Sequence, residues 1–187
     1  SVSNATVETV GRYLRGGHVD GLIIVSDHGP LPLSSALSTL GMPMVVIGRP
    51  LRTCPLSYVD AENREGARRA VEHLIATGRR AIAHIAGPPD TGAGADRLAG
   101  YRDAMRAIDA VDAPTAYGDW GQVSAAHAMQ RLLDQRPQLD AVFAASDLMA
   151  AGALRCLTRS GRRVPDDVAL VGFDDHPLAQ RMRPSLT

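Results

Sequence analysis

Ala141-Val142-Phe143-Ala144-Ala145-Ser146-Asp147-Leu148-Met149-Ala150-Ala151-Gly152-Ala153 is the stretch on which the fold turns. Five apolar residues in a row suit a strand buried on both faces, the pattern of a parallel sheet. Ser146 and Asp147 break the run and open a helix over 147–160, because short oxygen-bearing side chains satisfy the amide donors left bare at a helix start. Strand, polar turn and helix together make one βα unit.

The same grammar repeats on either side. Before it, Ala67, Ala70, Val71, Leu74 and Ile75 share one face of a helix over 63–77 that Gly78 stops, and Ala81 to Ala86 read as a strand. Leu98, Tyr101, Met105 and Ile108 predict a helix over 96–109, followed by a short strand near 114–117 and a helix over about 122–134. Beyond it, Val168 to Val171 read as a strand. Towards the N-terminus the spacing of Val7, Val10 and Leu14 predicts a helix over 6–16, Leu22 to Val25 a strand, residues near 33–40 a short helix closed by Gly41, and Met44 to Ile47 another strand. Residues 48–62 are irregular and Pro-bearing, a crossover segment. Strands alternating with helices at this spacing give α/β architecture: two Rossmann-like lobes, each a parallel sheet flanked by helices, with right-handed crossovers. Residues 61–177 hold four strands and read as a whole lobe. Residues 1–60 show two strands and two helices, which bury little apolar surface, so this first lobe reads as partial.

Composition narrows the function. The 187 residues are 45% apolar and 21% charged, an ordinary globular balance. Basic and acidic residues both number 20, all the basic ones arginine, so the formal net charge is zero. A domain that grips DNA by itself carries a basic excess to neutralise phosphates, so these residues are not expected to be a DNA-contacting part. No apolar run reaches the roughly 18–20 residues of a membrane span, and no signal-peptide layout opens the chain. Cys54 and Cys156 stand far apart with no metal-ligand spacing, which predicts a reducing, cytoplasmic setting and no disulfide framework. Nothing calls for a metal or cofactor. There is no H-E-x-x-H, no G-x-S-x-G elbow and no Walker Gly-Lys pair, and the partial glycine pattern at Gly92-Ala93-Gly94 has Arg97 where its third glycine belongs. An α/β enzyme is therefore disfavoured.

Ligands of open parallel sheets bind at the carboxyl ends of the strands. The residues there are Ser26-Asp27-His28, Gly48-Arg49, Gly87-Pro88-Pro89, Gly118-Asp119-Trp120, Ser146-Asp147 and Gly172-Phe173-Asp174-Asp175. Carboxylates, an arginine and an indole face suit a small polyhydroxylated ligand. Each has a structural alternative. Asp147 reads first as an N-cap, and Ser146 as support for that cap or as a cleft residue. Asp174 and Asp175 either meet a ligand or start a helix. Trp120 either covers a ligand or fills a core or hinge. Arg97, expected on the first turn of its helix, opposes the helix dipole there, which points it to an inward task; a solvated arginine is the other reading. His84 reads as a core histidine, and His28 stays ambiguous.

Several blocks resemble the lac repressor and purine repressor family of bacterial transcription regulators. They are Val164-Pro165-Asp166-Asp167 with Val168 to Asp175, Ala144 to Ala153, Ala86-Gly87-Pro88, Arg97-Leu98-Ala99-Gly100-Tyr101, Val59-Asp60 with Asn63 and Gly66, and Pro184-Ser185-Leu186-Thr187. The blocks run in order over nearly the whole chain. The resemblance implies a periplasmic-binding-protein-like type I sensor that binds a small effector, a sugar or sugar derivative, between its lobes and thereby changes operator affinity. It implies a homodimer, for which the helix near Leu148 and the loop after Asp175 are candidate surfaces, and operator DNA contacted through a helix-turn-helix headpiece outside this chain. It also implies that residues 178–187 cross back toward the first lobe. By motif position Arg97 and Asp174 match effector-contacting residues, Trp120 an aromatic platform, Ser146 a position often held by Asn, and Asp60 the hinge crossover, structural or cleft-lining. A transport-linked solute-binding protein of the same architecture is the alternative.

Overall fold

The computed structural model describes residues 4–17, 19–25, 37, 41–51, 55–110 and 112–186. The chain divides into two compact units, Ser1–Ala61 with Asp90–Ala93, and Glu62–Pro89 with Gly94–Thr187; residues 178–187 thus group with the second unit.

The first unit holds α1 (Asn4–Arg15), β1 (Leu22–Val25), β2 (Met44–Ile47) and β3 (Ser57–Val59). The three strands are parallel, in the order β1-β2-β3. β3 lies within the segment expected to be irregular. Its three residues are all exposed and leave no burial pattern for a sequence reading to find. Ile24, Met44 and Val46 point to one face and are buried with Leu14 and Leu37. Ile23, Val25, Ile47 and Val59, offset by one residue along strands whose side chains alternate, are exposed on the other. The helix expected near 33–40, apart from helical Leu37, lies outside the described residues, as do Ser26-Asp27-His28 and Cys54.

The second unit carries α2 (Asn63–Ala76), β4 (Ile82–Ala86), all but the first two residues of α3 (Gly92–Ala107), β5 (Thr115–Tyr117), α4 (Gln122–Gln135), β6 (Ala141–Ala144), α5 (Asp147–Arg159), β7 (Ala169–Val171) and α6 (Pro177–Arg181). Its four parallel strands run β5-β4-β6-β7. The alternation of side chains along each strand divides the core in two. Ala83, Ile85, Val142 and Ala144 pack under α4 and α5, whereas Ile82, Ala141 and Phe143 pack under α2 and α3. Helices therefore cover both faces, which is why β4 and β6 are buried along their whole length and, His84 apart, apolar. Glycines permit the closest helix contacts: a Cβ on Gly100 would come 2.1 Å from the Arg64 carbonyl oxygen, and one on Gly152 2.1 Å from that of Gln122.

His84 is fully buried in this second core, as its place inside a strand suggested. Its ring stacks on Phe143 at 4.7 Å, lies 5.0 Å from the Tyr101 ring, and bonds the Phe143 carbonyl through Nδ1 at 2.9 Å. Nε2 has no hydrogen-bond partner among the described residues. Burial pushes its pKa down to about 4, so the ring is neutral.

Candidate functional site

The strand order reverses between β4 and β6: the chain moves to β5 on one side and then to β6 and β7 on the other. The crevice outside such a switch point is where open α/β sheets place ligands. Arg97 reaches this point. Its Nη1 donates to the carbonyl of Ala145, the residue after β6, at 2.6 Å.

Arg97 is only 8% exposed. Nε donates to Asn63 Oδ1 at 2.8 Å, Nη1 lies 2.9 Å from Asp174 Oδ1, and the guanidinium sits 3.8 Å from the centre of the Phe173 ring. A flat delocalised cation can stack on an aromatic face while its edge donates in plane, which an ammonium cannot do. The expected reason for its inward direction is corrected by the helix boundaries. α3 begins at Gly92 rather than 96, so Arg97 lies in the second turn, beyond the strongest part of the dipole. Asn63, Ala145, Phe173 and Asp174 hold it instead. Phe173 in turn fits against α2 because residue 66 is glycine: a Cβ there would lie 2.9 Å from the ring.

Asp174 is the open end of the cluster, with its side chain 42% exposed. It has φ +98° and Asp175 has φ +52°, both in the left-handed region that side chains with a Cβ enter at a cost. These aspartates do not start a helix; α6 begins at Pro177, with His176 as its N-cap.

Trp120 belongs to the same edge. It is half-buried with φ +71°, its ring covers the backbone of Gly87, and it lies 5.6 Å from the Arg97 guanidinium carbon. A Cβ at Gly87 would meet the indole at 2.3 Å, so the glycine after β4 is the seat of the ring. The turn is tied by Asp119, whose carboxylate accepts from the Gly121 amide at 2.9 Å and from the Ser124 hydroxyl. Those bonds, the hydroxyl's first, hold the Asp119 pKa below its ordinary value.

The cap expected of Asp147 is made by Ser146. Ser146, 4% exposed, is the N-cap of α5, its Oγ accepting from the Met149 amide at 3.2 Å. Asp147 occupies the first helical position and turns its carboxylate to the loop after β7, where Oδ2 accepts from the His176 amide at 2.7 Å. Burial raises its pKa; the His176 bond acts against that, and the nearby Asp174 and Asp175 charges add to it. Asp60 follows β3 in the first unit; it is exposed, and its carboxylate accepts from the neighbouring Ala61 amide at 2.9 Å. The structure thus brings Arg97, Asp174 and Trp120 together, leaves Ser146 on its cap one residue after the Ala145 carbonyl that Arg97 binds, and adds Asn63, Phe173 and Asp147. Asn63 and Phe173 carried no signal beyond lying within recognisable blocks, because their task depends on partners 34 or more residues away. Among the described residues no group of three or more His, Cys, Asp or Glu side chains could hold a metal ion.

A doubly wound parallel sheet with a buried arginine and a part-exposed carboxylate at its switch point is the arrangement of a ligand-binding α/β lobe. Residues 71–187 match the family described as periplasmic binding protein-like domain. The chain belongs to the lac repressor (LacI) family of transcriptional regulators, of which this is the sensor fold. It is 49% identical over 184 residues to the HTH-type transcriptional regulator CelR of Thermobifida fusca, covering 96% of this chain and 54% of that protein. It superposes on the structure of a transcriptional regulator CelR-cellobiose complex with a TM-score of 0.94 at 48% identity, covering 98% of this chain and 57% of the other. A regulatory protein of the LacI family from Chloroflexus aggregans gives a TM-score of 0.87 at 30% identity, with coverages of 100% and 68%. The chain spans about half the length of the curated relatives it matches.

Proposed function

We propose that this chain is the effector-sensing part of a cytoplasmic, DNA-binding transcriptional repressor, and that its effector is a small sugar, with cellobiose the first to test. The observation that carries this reading is the Arg97–Asp174 pair: a buried cation held by three fixed partners beside a carboxylate left 42% exposed, with Trp120 on the same edge. Arg97 and Asp174 donate to and accept from ring hydroxyls, and the indole covers the apolar side of the sugar. Ser146, committed to its cap, contributes less, and Asp60 is a secondary contact.

The cellobiose bound in the CelR complex supports a sugar as ligand. The regulator relatives favour sensing over transport and over catalysis. The active species is a homodimer that grips operator DNA through helix-turn-helix headpieces. Effector and operator are linked by a coupling free energy, so the sugar changes operator affinity only by its differential affinity for the two states. Calorimetric titration of the intact protein with a sugar panel, alongside operator binding, tests this. Arg97→Ala and Asp174→Ala should abolish the sugar response and leave operator binding; a normal response in both variants overturns the site.

A further inference from the structure

We propose that Asp147 is a positioning residue of the effector site, its buried carboxylate clamping the 172–176 loop in the conformation that presents Asp174 to Arg97. The inference rests on the sensor reading above. An aspartate at the first position of a helix ordinarily serves its own helix, by capping it or by complementing its dipole. Here the cap is already made by Ser146. Asp147 spends its hydrogen bonds 26 to 29 residues further along the chain: its amide donates to the Phe173 carbonyl at 2.9 Å, and its Oδ2 accepts from the His176 amide at 2.7 Å.

These two bonds bracket Asp174 and Asp175. Both of those residues have positive φ, a conformation that persists in a residue with a Cβ only when its surroundings impose it. Phe173, the residue before the bracketed pair, is the platform under the Arg97 guanidinium. The third element of the clamp is Gly172. A Cβ there would lie 2.1 Å from Asp147 Oδ1, so the carboxylate closes directly over the glycine. Without the clamp the loop relaxes toward ordinary backbone conformations and the fraction of molecules with Asp174 in place falls. Apparent affinity falls by that same fraction.

The test is a double-mutant cycle in the intact protein, with cellobiose as the calorimetric probe and amide exchange at His176 as a ligand-free readout. Asp147→Ala is expected to raise the Kd about tenfold and to speed His176 exchange by a similar factor, the scale of one lost buried hydrogen bond to a charged group. Asp147→Asn, which keeps an oxygen for the His176 amide, should stay within about threefold of the parent. Gly172→Ala should weaken binding in the parent and do so far less in the Asp147→Ala background, where the oxygen it collides with is gone. A lower melting temperature in Asp147→Ala with unchanged Kd and unchanged His176 exchange would overturn the proposal, as would strict additivity of the two substitutions. If cellobiose fails to bind the parent protein, the choice of sugar fails, and His176 exchange in the Ala and Asn variants still decides whether the clamp exists.

Discussion

Arg97→Lys separates charge from geometry at the centre of the site. Lysine keeps the positive charge on a stem of similar length, so a site that needed only a cation would tolerate it. The structure asks for more: Nε on Asn63, Nη1 shared by the Ala145 carbonyl and Asp174, and a flat guanidinium 3.8 Å from the Phe173 ring centre. One ammonium cannot occupy both edges of that plane. The lost bond to Asn63, itself 3% exposed, should cost about 1–2 kcal/mol, and the lost stacking about 1 kcal/mol. The Asp174 side is discounted, because that carboxylate is 42% exposed and solvent screens it. The net loss is about 2 kcal/mol. With a urea m-value of about 1.5 kcal/mol/M, the second unit should unfold at a midpoint lower by about 1.3 M. Urea titration followed by the fluorescence of Trp120, the single tryptophan, reads that unit directly. A midpoint shift below about 0.3 M at unchanged m-value would refute the claim that guanidinium shape, rather than charge, organises this cluster.

Ser146→Ala should lower stability by about 1 kcal/mol through loss of the α5 cap, read as a thermal shift, while sugar affinity changes little; a large affinity loss at unchanged stability would restore Ser146 as a direct contact. Gly152→Ala drives a Cβ to 2.1 Å from the backbone oxygen of Gln122, where no rotamer change can relieve it, and should cost about 2 kcal/mol or more; a melting temperature equal to the parent's would show that α4 and α5 can separate cheaply. His84 carries a pH signature. Its folded pKa of about 4 lies below the unfolded value of about 6.5, so the native state binds fewer protons. This contribution is intact above pH of about 6.5 and is lost as pH falls toward 4, by about 3 kcal/mol in all. His84→Phe, which can keep the stack on Phe143, should flatten that part of the stability–pH curve, and identical slopes in the two proteins would contradict it.

How far the sequence could be read depended on whether a residue's task is local or long-range. β4, β6 and the helices after them were legible because burial on both faces forces runs that are apolar but for His84, and helical spacing does the rest. β3 was not, since Ser57, Tyr58 and Val59 are all exposed and the strand exists by pairing with β2. α6 escaped because five residues, the first of them proline, leave no periodicity. At the site, motif position picked out Arg97, Trp120 and Asp174, which lie at one edge of the sheet. Asp147 read as the cap and Ser146 as its support or a cleft residue, although either oxygen can cap a helix. The bond from the Met149 amide gives the cap to Ser146 and the bond from the His176 amide draws Asp147 away, and a contact 29 residues apart has no local trace.

The exposed apolar residues on one face of the β1-β2-β3 sheet have a practical consequence for the 187-residue chain handled by itself. Ile23, Val25, Ile47 and Val59 stand 42–69% open to water on adjacent parallel strands, a β-branched patch of the kind that adheres to its own copies. At neutral pH the formal charge of zero gives little colloidal repulsion to hold molecules apart. Turbidity of concentrated solutions of the 187-residue chain should therefore track these residues, and Ile23→Thr with Val25→Thr should clear it.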